Sequence, residues 1–415
     1  MTRRRLLGLV AAAGFVAACA VVKGGIVHDE QFGDVSLYAM QAKRMVDGEF
    51  PYRDFFVEYP PGSLLAFILP GLVSLAHYAT LFKTLMALFG AGIVLLTERI
   101  AAQLGYSFER TAVMLGALVL APFAIGPLVV NEYDLLPALM TSAALLALLR
   151  GRHTVGCALL GIATATKIYP LAVLPAALAW TSLRAGVAAA RRSLAAAVAS
   201  IVAVYVVFVA VAPGGVWHSL EVQARRGLQK ESLGASLLYV LDKLGLYKAH
   251  IVVGNPNWTE LTGPAGDALA LLGTVAEVAA VLFVAFLVVR RVPDTRTMVL
   301  AAAASVAGFV AFGKVFSPQY LIWLVPLVAA TWLATRAAPV LLLVALALTR
   351  VWVPDRFDQL QSLNWITWIV LARNAVLVAL FLVLVGVVRP ALRTARARED
   401  SAARRATRLP RDRTA

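Results

Sequence analysis

Apolar residues fill long stretches of this chain, and polar residues gather in the segments between them. Repeated apolar runs near 20 residues, with few charges inside, are typical of transmembrane helices. We therefore predict an all-α fold, a polytopic transmembrane helical bundle of about twelve spans with both termini on one side. The predicted spans are 6–22, 80–97, 111–128, 135–149, 154–180 (counted twice), 193–212, 265–289, 297–312, 321–333, 339–353 and 364–388.

Two apolar stretches decide the topology. Residues 63–76 are short and contain a Pro-Gly pair, so we interpret them as a half-inserted outer segment. Residues 154–180 are too long for one ordinary span and carry Lys167 near their middle, which favours two short spans with Lys167 at the outer turn. In the competing topology, residues 63–76 form a span, residues 154–180 cross the membrane once, and Arg150 and Arg152 lie outside.

Charge sets the orientation. The chain has a net charge of +15, which could suggest nucleic acid, but its Lys and Arg residues cluster at the ends of apolar runs and in the tail. That is the positive-inside pattern of a multi-pass protein of the cell membrane, so we expect no nucleic acid partner. We predict one membrane domain, 1–388, and a basic, disordered cytoplasmic tail, 389–415.

The most polar segment follows the first predicted span and covers residues 23–62, which this topology places outside. Between Val35 and Val46 its apolar residues recur at helical spacing, and Gly48 follows. We predict an amphipathic helix on the membrane surface, with Asp34 at its N-cap.

On this topology the polar loops converge on the outer face. A carboxylate there could take a proton from an acceptor hydroxyl, while cations hold a lipid-linked phosphate and stabilise it as it leaves. Asp34 is the candidate base, although it could simply cap its helix, and Glu58 is its rival. The other candidates in these loops, for substrate binding, are Asn131, Asp134, Lys167, Arg225, Arg226, Lys230, Lys314 and Gln319.

Metal and redox chemistry find little support in the sequence. The five histidines lack ligand spacing, and the two cysteines, Cys19 and Cys157, both fall in apolar runs. We expect neither a metal nor a cofactor. Arg373 is different, because it lies deep in the last predicted span, where a charge is seldom idle.

Several motifs together resemble glycosyltransferase family 87 of the GT-C superfamily. They are Asp34-x-x-x-Tyr38, Gly48-x-x-Pro51-Tyr52-Arg53-Asp54, Glu58-Tyr59-Pro60-Pro61, Thr166-Lys167-Ile168-Tyr169-Pro170, the run from Arg226 to Ser232, Ser317-Pro318-Gln319-Tyr320 with Trp323, and Arg373-Asn374. The resemblance implies an inverting transferase that moves a sugar, usually mannose, from a polyprenyl phosphate donor at the outer face. It implies an acidic base in the first external loop, which maps onto Asp34, although the Asp29-Glu30 pair shares that loop. It adds Tyr38, Tyr59, Tyr169, Tyr320 and Arg373 to the substrate-binding candidates.

We therefore expect a membrane mannosyltransferase acting on a lipid or glycan acceptor of the cell envelope. An arabinosyl or other pentosyl transferase is the alternative of the same type. A lipid or sugar transporter should show internal repeats and polar residues gathered at mid-membrane. In this sequence no repeat is visible, and most polar residues gather at the predicted outer face. A structural partner of an envelope-synthesis complex would not need acidic and cationic loops together.

Overall fold

The computed structural model describes residues 3–28, 32–253, 259–291, 294–362 and 364–388. The predicted tail, 389–415, and the Asp29-Glu30 pair lie outside the described residues. The α-helices are α1 Arg3–Val21, α2 Val35–Val46, α3 Leu64–Val73, α4 Tyr78–Gln103, α5 Phe108–Ile125, α6 Leu128–Asn131, α7 Leu135–Leu149, α8 His153–Thr164, α9 Leu174–Ala185, α10 Val187–Val211, α11 Pro213–Arg225, α12 Leu233–Lys243, α13 Pro264–Val289, α14 Thr295–Phe312, α15 Leu321–Ala329, α16 Ala337–Arg350 and α17 Ile366–Val388. Short 3₁₀ helices cover Pro61–Ser63, Tyr169–Val173, Pro318–Tyr320 and Phe357–Ser362.

Seven of the described helices, α1, α4, α5, α10, α13, α14 and α17, are long and apolar enough to cross a membrane. Shorter apolar helical segments cover Pro61–Val73, Leu135–Leu149, His153–Thr164, Pro318–Ala329 and Ala337–Arg350. The structure thus agrees with an all-α polytopic bundle, whereas the count of about twelve spans stays a prediction.

The helices α8 and α9 form an antiparallel hairpin. The His153 ring at the start of α8 lies 5.3 Å from the Trp180 ring near the end of α9. The chain turns between the two helices at Ala165–Ile168, where Lys167 lies. Residues 154–180 thus form parts of two short helices with Lys167 at the turn between them, as the sequence predicted, and not one long helix.

The segment before α4 stays at the end of the bundle where Lys167 lies. The backbone N–H of Gly62 donates to the carbonyl of Ala165, in the hairpin turn, at 2.8 Å. Near the start of α4, Lys83 donates to the carbonyl of His28, just beyond α1, and at its far end Glu98 pairs with Arg4 at 3.1 Å. The chain therefore traverses the bundle once between 62 and 98, as expected if α3 is only half inserted.

Contacts between helix termini define two ends of the bundle. Arg4 reaches both α4 and α5, Trp180 donates to the carbonyl of Asp294, and Arg291 donates to the carbonyl of Val387. We call this the basic end of the bundle, because many helices begin or end there next to arginines. The opposite end, where Lys167 lies, is the site end. The basic end carries Arg3, Arg4, Arg5, Arg99, Arg150, Arg152, Arg184, Arg290 and Arg291.

The long loop predicted after α10 contains regular structure at the site end. It holds α11, α12 and a small antiparallel sheet of β1 Leu228–Gln229, β2 His250–Val253 and β3 Thr259–Thr262, in the order β1-β3-β2. Leu261 of β3 pairs with Leu228 on one side and Ile251 on the other. The sheet fixes the course of the chain from Arg226 to Ser232.

Candidate active site

Asp34 stands at the N-cap position of α2, but its side chain makes no capping hydrogen bond. Its Oδ2 instead accepts a hydrogen bond of 2.6 Å from the hydroxyl of Tyr59, in the loop that precedes α3. The half-buried carboxylate thus turns away from its own helix and towards the other loops of the site end. Helix capping therefore does not explain why an aspartate stands at this position.

Glu132, between α6 and α7, holds the same helix start from the other side. Its Oε2 accepts from the hydroxyl of Tyr38 at 2.8 Å, and its Oε1 accepts from the backbone N–H of Asp34 at 3.3 Å. Only 3% of Glu132 is exposed. Burial raises the pKa of this carboxyl well above its ordinary value, and the charges of Asp34 and Asp134 raise it further. Glu132 is not among the site residues predicted from the sequence.

Aromatic rings enclose this pair of acids. Tyr38 stacks on Phe67 at 4.3 Å between ring centroids, and its edge or face also meets Tyr59, Phe82 and Tyr133 at 5.3–5.9 Å. The ring of Tyr38 is fully buried, so its hydroxyl serves Glu132 rather than an exposed surface. Tyr59 belongs to this aromatic cluster and also donates the hydrogen bond to Asp34.

Lys167 makes a two-pronged ion pair with Asp134, its ammonium lying 2.8 Å from each carboxylate oxygen. The indole N–H of Trp323 donates to Asp134 Oδ1 at 2.5 Å. Burial raises the pKa of Asp134, and the ion pair with Lys167 opposes that change. Trp323 is in turn sandwiched between the rings of Tyr169 and Tyr320, at 4.1 and 4.0 Å. The structure brings these four candidates, Asp134, Lys167, Tyr169 and Tyr320, into one assembly around a tryptophan.

Glu58 lies between the acidic and cationic parts of the site. Burial raises its pKa, the charge of Arg226 lowers it, and the charge of Asp34 raises it again. Glu58 therefore lies within electrostatic reach of both Asp34 and Arg226. The backbone carbonyl of Glu58 accepts from Gln223 of α11 at 3.1 Å, which ties this loop to the segment before Arg226.

A second charged cluster adjoins Arg226 at the junction of β1, α12 and α17. Arg373 is fully buried and donates to the backbone carbonyl of Glu231 at 2.9 Å, with its guanidinium 3.9 Å from the Phe316 ring centroid. The ammonium of Lys230 lies 3.9 Å from the Phe357 ring centroid. Burial raises the pKa of Glu231, whereas Lys230 and Arg373 oppose that change. Arg226 acts on Glu231 as well as on Glu58, so the two clusters are neighbours.

The remaining candidates have mainly structural contacts. The amide of Asn131 donates to the carbonyls of Gly24 and Pro127. Arg225 is exposed and pairs with Glu221, one helical turn away. Lys314 donates to the carbonyl of Ala224 at 3.0 Å, and Gln319 accepts from Ser317 at 2.6 Å. In the described part of the chain, no group of three or more His, Cys, Asp or Glu side chains could hold a metal ion.

A membrane-type helical bundle whose loops assemble paired acids, cations and aromatic rings at one end has the features expected of an enzyme acting at a membrane surface. The model of glycosyltransferase family 87 matches residues 56–318, more than half of the chain. The chain belongs to this family and is a membrane glycosyltransferase, as the sequence motifs indicated. The match includes Glu58, Lys167 and Arg226, whereas Asp34 precedes it. A search of curated proteins found no match.

Proposed function

We propose that this glycosyltransferase moves a sugar, with mannose as the expected one, from a polyprenyl phosphate donor to a lipid or glycan acceptor of the cell envelope. One observation carries the proposal: Asp34, which makes no capping hydrogen bond and accepts one from Tyr59, lies within electrostatic reach of Glu58, and Arg226 also lies within electrostatic reach of Glu58. A base and a phosphate-binding cation are therefore close together at one end of a membrane bundle.

The proposed chemistry needs a single carboxylate. Asp34 takes the proton of the acceptor hydroxyl, whose oxygen forms the new bond to the anomeric carbon from the face opposite the phosphate. The bond from that carbon to the phosphate oxygen breaks, and polyprenyl phosphate leaves with the bonding electrons. The displacement inverts the anomeric centre. A phosphate leaves without protonation, so Glu58 need not act as an acid.

Cations would stabilise the leaving phosphate, and the contacts of the candidate cations favour some of them over others. Lys167 is already neutralised by Asp134, and Arg225 points into solvent beside Glu221. We assign the phosphate to Arg226 and Lys230, next to Glu58 and Glu231, because charge-assisted hydrogen bonds to phosphate are the strong ones. Lys167 then supports the site as the partner of Asp134.

The distribution of arginines supports an external active site. The basic end carries the Arg residues that the positive-inside rule places in the cytoplasm, and the site end lies opposite. A polyprenyl donor would then meet the enzyme in the outer leaflet. We accordingly propose a multi-pass protein of the cell membrane.

A transfer assay tests the proposal. Membranes containing this chain are supplied with radiolabelled polyprenyl-phosphate mannose, and lipids and glycans are analysed for label, with Asp34→Asn membranes as the control. Label should enter an acceptor only with the parental protein. If label is transferred from polyprenyl-phosphate arabinose but not from polyprenyl-phosphate mannose, the transferred sugar is a pentose and not mannose. Transfer from neither donor would contradict the proposed donor class.

A further inference from the structure

Glu132 makes two hydrogen bonds to the first turn of α2, one to its backbone and one to a side chain. The Asp34 N–H and the Tyr38 hydroxyl bind different oxygens of the same carboxyl group. These bonds span 98 and 94 residues of sequence and join α2 to the segment just before α7. The carboxyl group therefore fixes both the position and the rotation of the helix start on which Asp34 lies.

The local backbone is shaped for this contact. Gly33 has a φ of +87°, in the left-handed region, and a Cβ at this position would overlap Glu132 Oε1. Only glycine lets the buried carboxyl approach the backbone so closely without strain. On the other side, the Tyr38 ring is fully buried and stacks on Phe67, and this packing holds its hydroxyl against Glu132 Oε2.

We propose that Glu132 is a positioning residue for sugar transfer, which holds the start of α2 so that the Asp34 carboxylate faces the reacting groups. This inference rests on the proposed role of Asp34 as the base. Glu132 itself need not touch either substrate, because it is buried behind α2 and both its oxygens face groups of that helix. A displacement of about 1 Å at a reacting group can cost about 10²-fold in rate.

Burial and neighbouring charges raise the pKa of Glu132 above its ordinary value. The charged groups acting on it are Asp34 from the start of α2, Asp134 from the start of α7 and Lys167 from the hairpin turn, and Tyr38 adds a hydrogen bond. Burial and the two aspartates favour protonation, whereas Lys167 and the Tyr38 bond oppose it. Glu132→Gln keeps the size of the side chain but leaves one acceptor oxygen where the carboxyl group has two, so only one of the two hydrogen bonds to the start of α2 can persist.

The first test measures position without turnover. Amide hydrogen exchange in the segment 33–38 is compared between the parental protein, Glu132→Ala, Glu132→Gln and Glu109→Gln, a matched change on the exposed first turn of α5. We expect faster exchange in Glu132→Ala, a smaller increase in Glu132→Gln and none in Glu109→Gln. Parental exchange in both Glu132 variants would overturn the proposal, whether or not the transfer assay succeeds.

The second test is a double-mutant cycle in the transfer assay. Glu132→Ala should lower kcat by about 10- to 100-fold and change the donor KM little, because the base is displaced while donor binding is kept. In the Asp34→Asn background the same change should cost nothing further. An equal loss in both backgrounds would overturn the positioning role. If Asp34→Asn is itself fully active, the base assignment fails instead. If Glu132→Ala does not fold, Glu132→Gln and Tyr38→Phe complete the cycle.

Discussion

Lys167 and Asp134 lie 33 residues apart in the sequence and meet in an ion pair at 2.8 Å, with Asp134 fully buried. The pair connects the turn of the α8–α9 hairpin to the start of α7. Trp323 completes it with a hydrogen bond from a third part of the chain. These three residues hold the loops of the site end together, so the geometry of the site depends on a pair that the proposed chemistry does not use directly.

We expect Lys167→Met to destabilise the protein strongly, because it leaves the Asp134 carboxylate buried without its cation. Removing one partner of a buried pair typically costs about 3–5 kcal/mol. Thermal unfolding of the purified protein in detergent measures the loss. Lys43→Met, which breaks the exposed pair with Asp47, is the matched control and should change little. A Lys167→Met protein as stable as this control would show that the ion pair contributes nothing, whereas Lys167→Met/Asp134→Asn should recover part of the loss.

Much of the fold is visible in the sequence because membrane spans are local features. The apolar runs predicted a helical bundle, and the helical spacing from Val35 to Val46 predicted α2. Lys167, followed by Tyr169-Pro170, marked the turn of the hairpin. The sheet was missed because its strands are only two to four residues long, too short for an alternating pattern to be distinguished from a loop.

The site was harder to predict, because its contacts join distant segments. Glu132 lies in the sequence between two predicted site residues, Asn131 and Asp134, but its hydrogen-bond partners lie 94 and 98 residues earlier. Gly33 was its one local signal, since a glycine before a helix start permits a close approach. Conversely, Arg225 and Arg226 are neighbouring arginines that the sequence does not distinguish. In the structure Arg225 is solvent-exposed, whereas Arg226 is half-buried and within electrostatic reach of Glu58.

The orientation in the membrane can be tested with single cysteines at Ile168 and Arg152, both exposed and at opposite ends of α8. Ile168 is a better site than Lys167, because its replacement leaves the ion pair intact. An impermeant thiol reagent applied to intact cells should label the Ile168→Cys protein and not the Arg152→Cys protein, in a background where Cys19 and Cys157 are Ala. Labelling at 152 alone would reverse the proposed orientation.

Arg226 and Lys230 should determine the affinity for the donor. Each charge-assisted hydrogen bond is worth about 1.5–3 kcal/mol, so we expect Arg226→Gln or Lys230→Met to weaken donor use about 10- to 100-fold. Arg225→Gln is the matched control, since this neighbour pairs with Glu221 in solvent. Initial rates at varied donor concentration measure the effect. Equal kinetics for the three variants would remove Arg226 and Lys230 from the phosphate site.

Buried acids of the site should make the folded state less stable as pH rises. The pKa of Glu132 is raised well above 4.5 in the folded protein, so the folded state binds more protons than the unfolded state from pH about 4.5 upwards. The contribution of Glu132 to the stability is therefore greatest below this range and is lost as pH rises through the raised pKa. Glu132→Gln removes this contribution. Its melting temperature should fall less steeply with pH than that of the parental protein, and parallel curves would contradict the role of Glu132 in this dependence.

The assignment of the base is tested by Asp34→Asn and Glu58→Gln in one assay. The Asp34 side chain makes no capping hydrogen bond, and the amide oxygen of Asn at this position can still accept from the Tyr59 hydroxyl, so Asp34→Asn should fold while proton removal fails. We expect a rate about 10²–10⁴-fold below the parental one, and slight residual activity in Asp34→Glu, whose carboxylate is present but displaced. Glu58→Gln should keep more activity, because the proposed reaction needs no acid. If Asp34→Asn transfers sugar at the parental rate while Glu58→Gln is inactive, Glu58 is the base, and the bond from Tyr59 serves only to fix the loop.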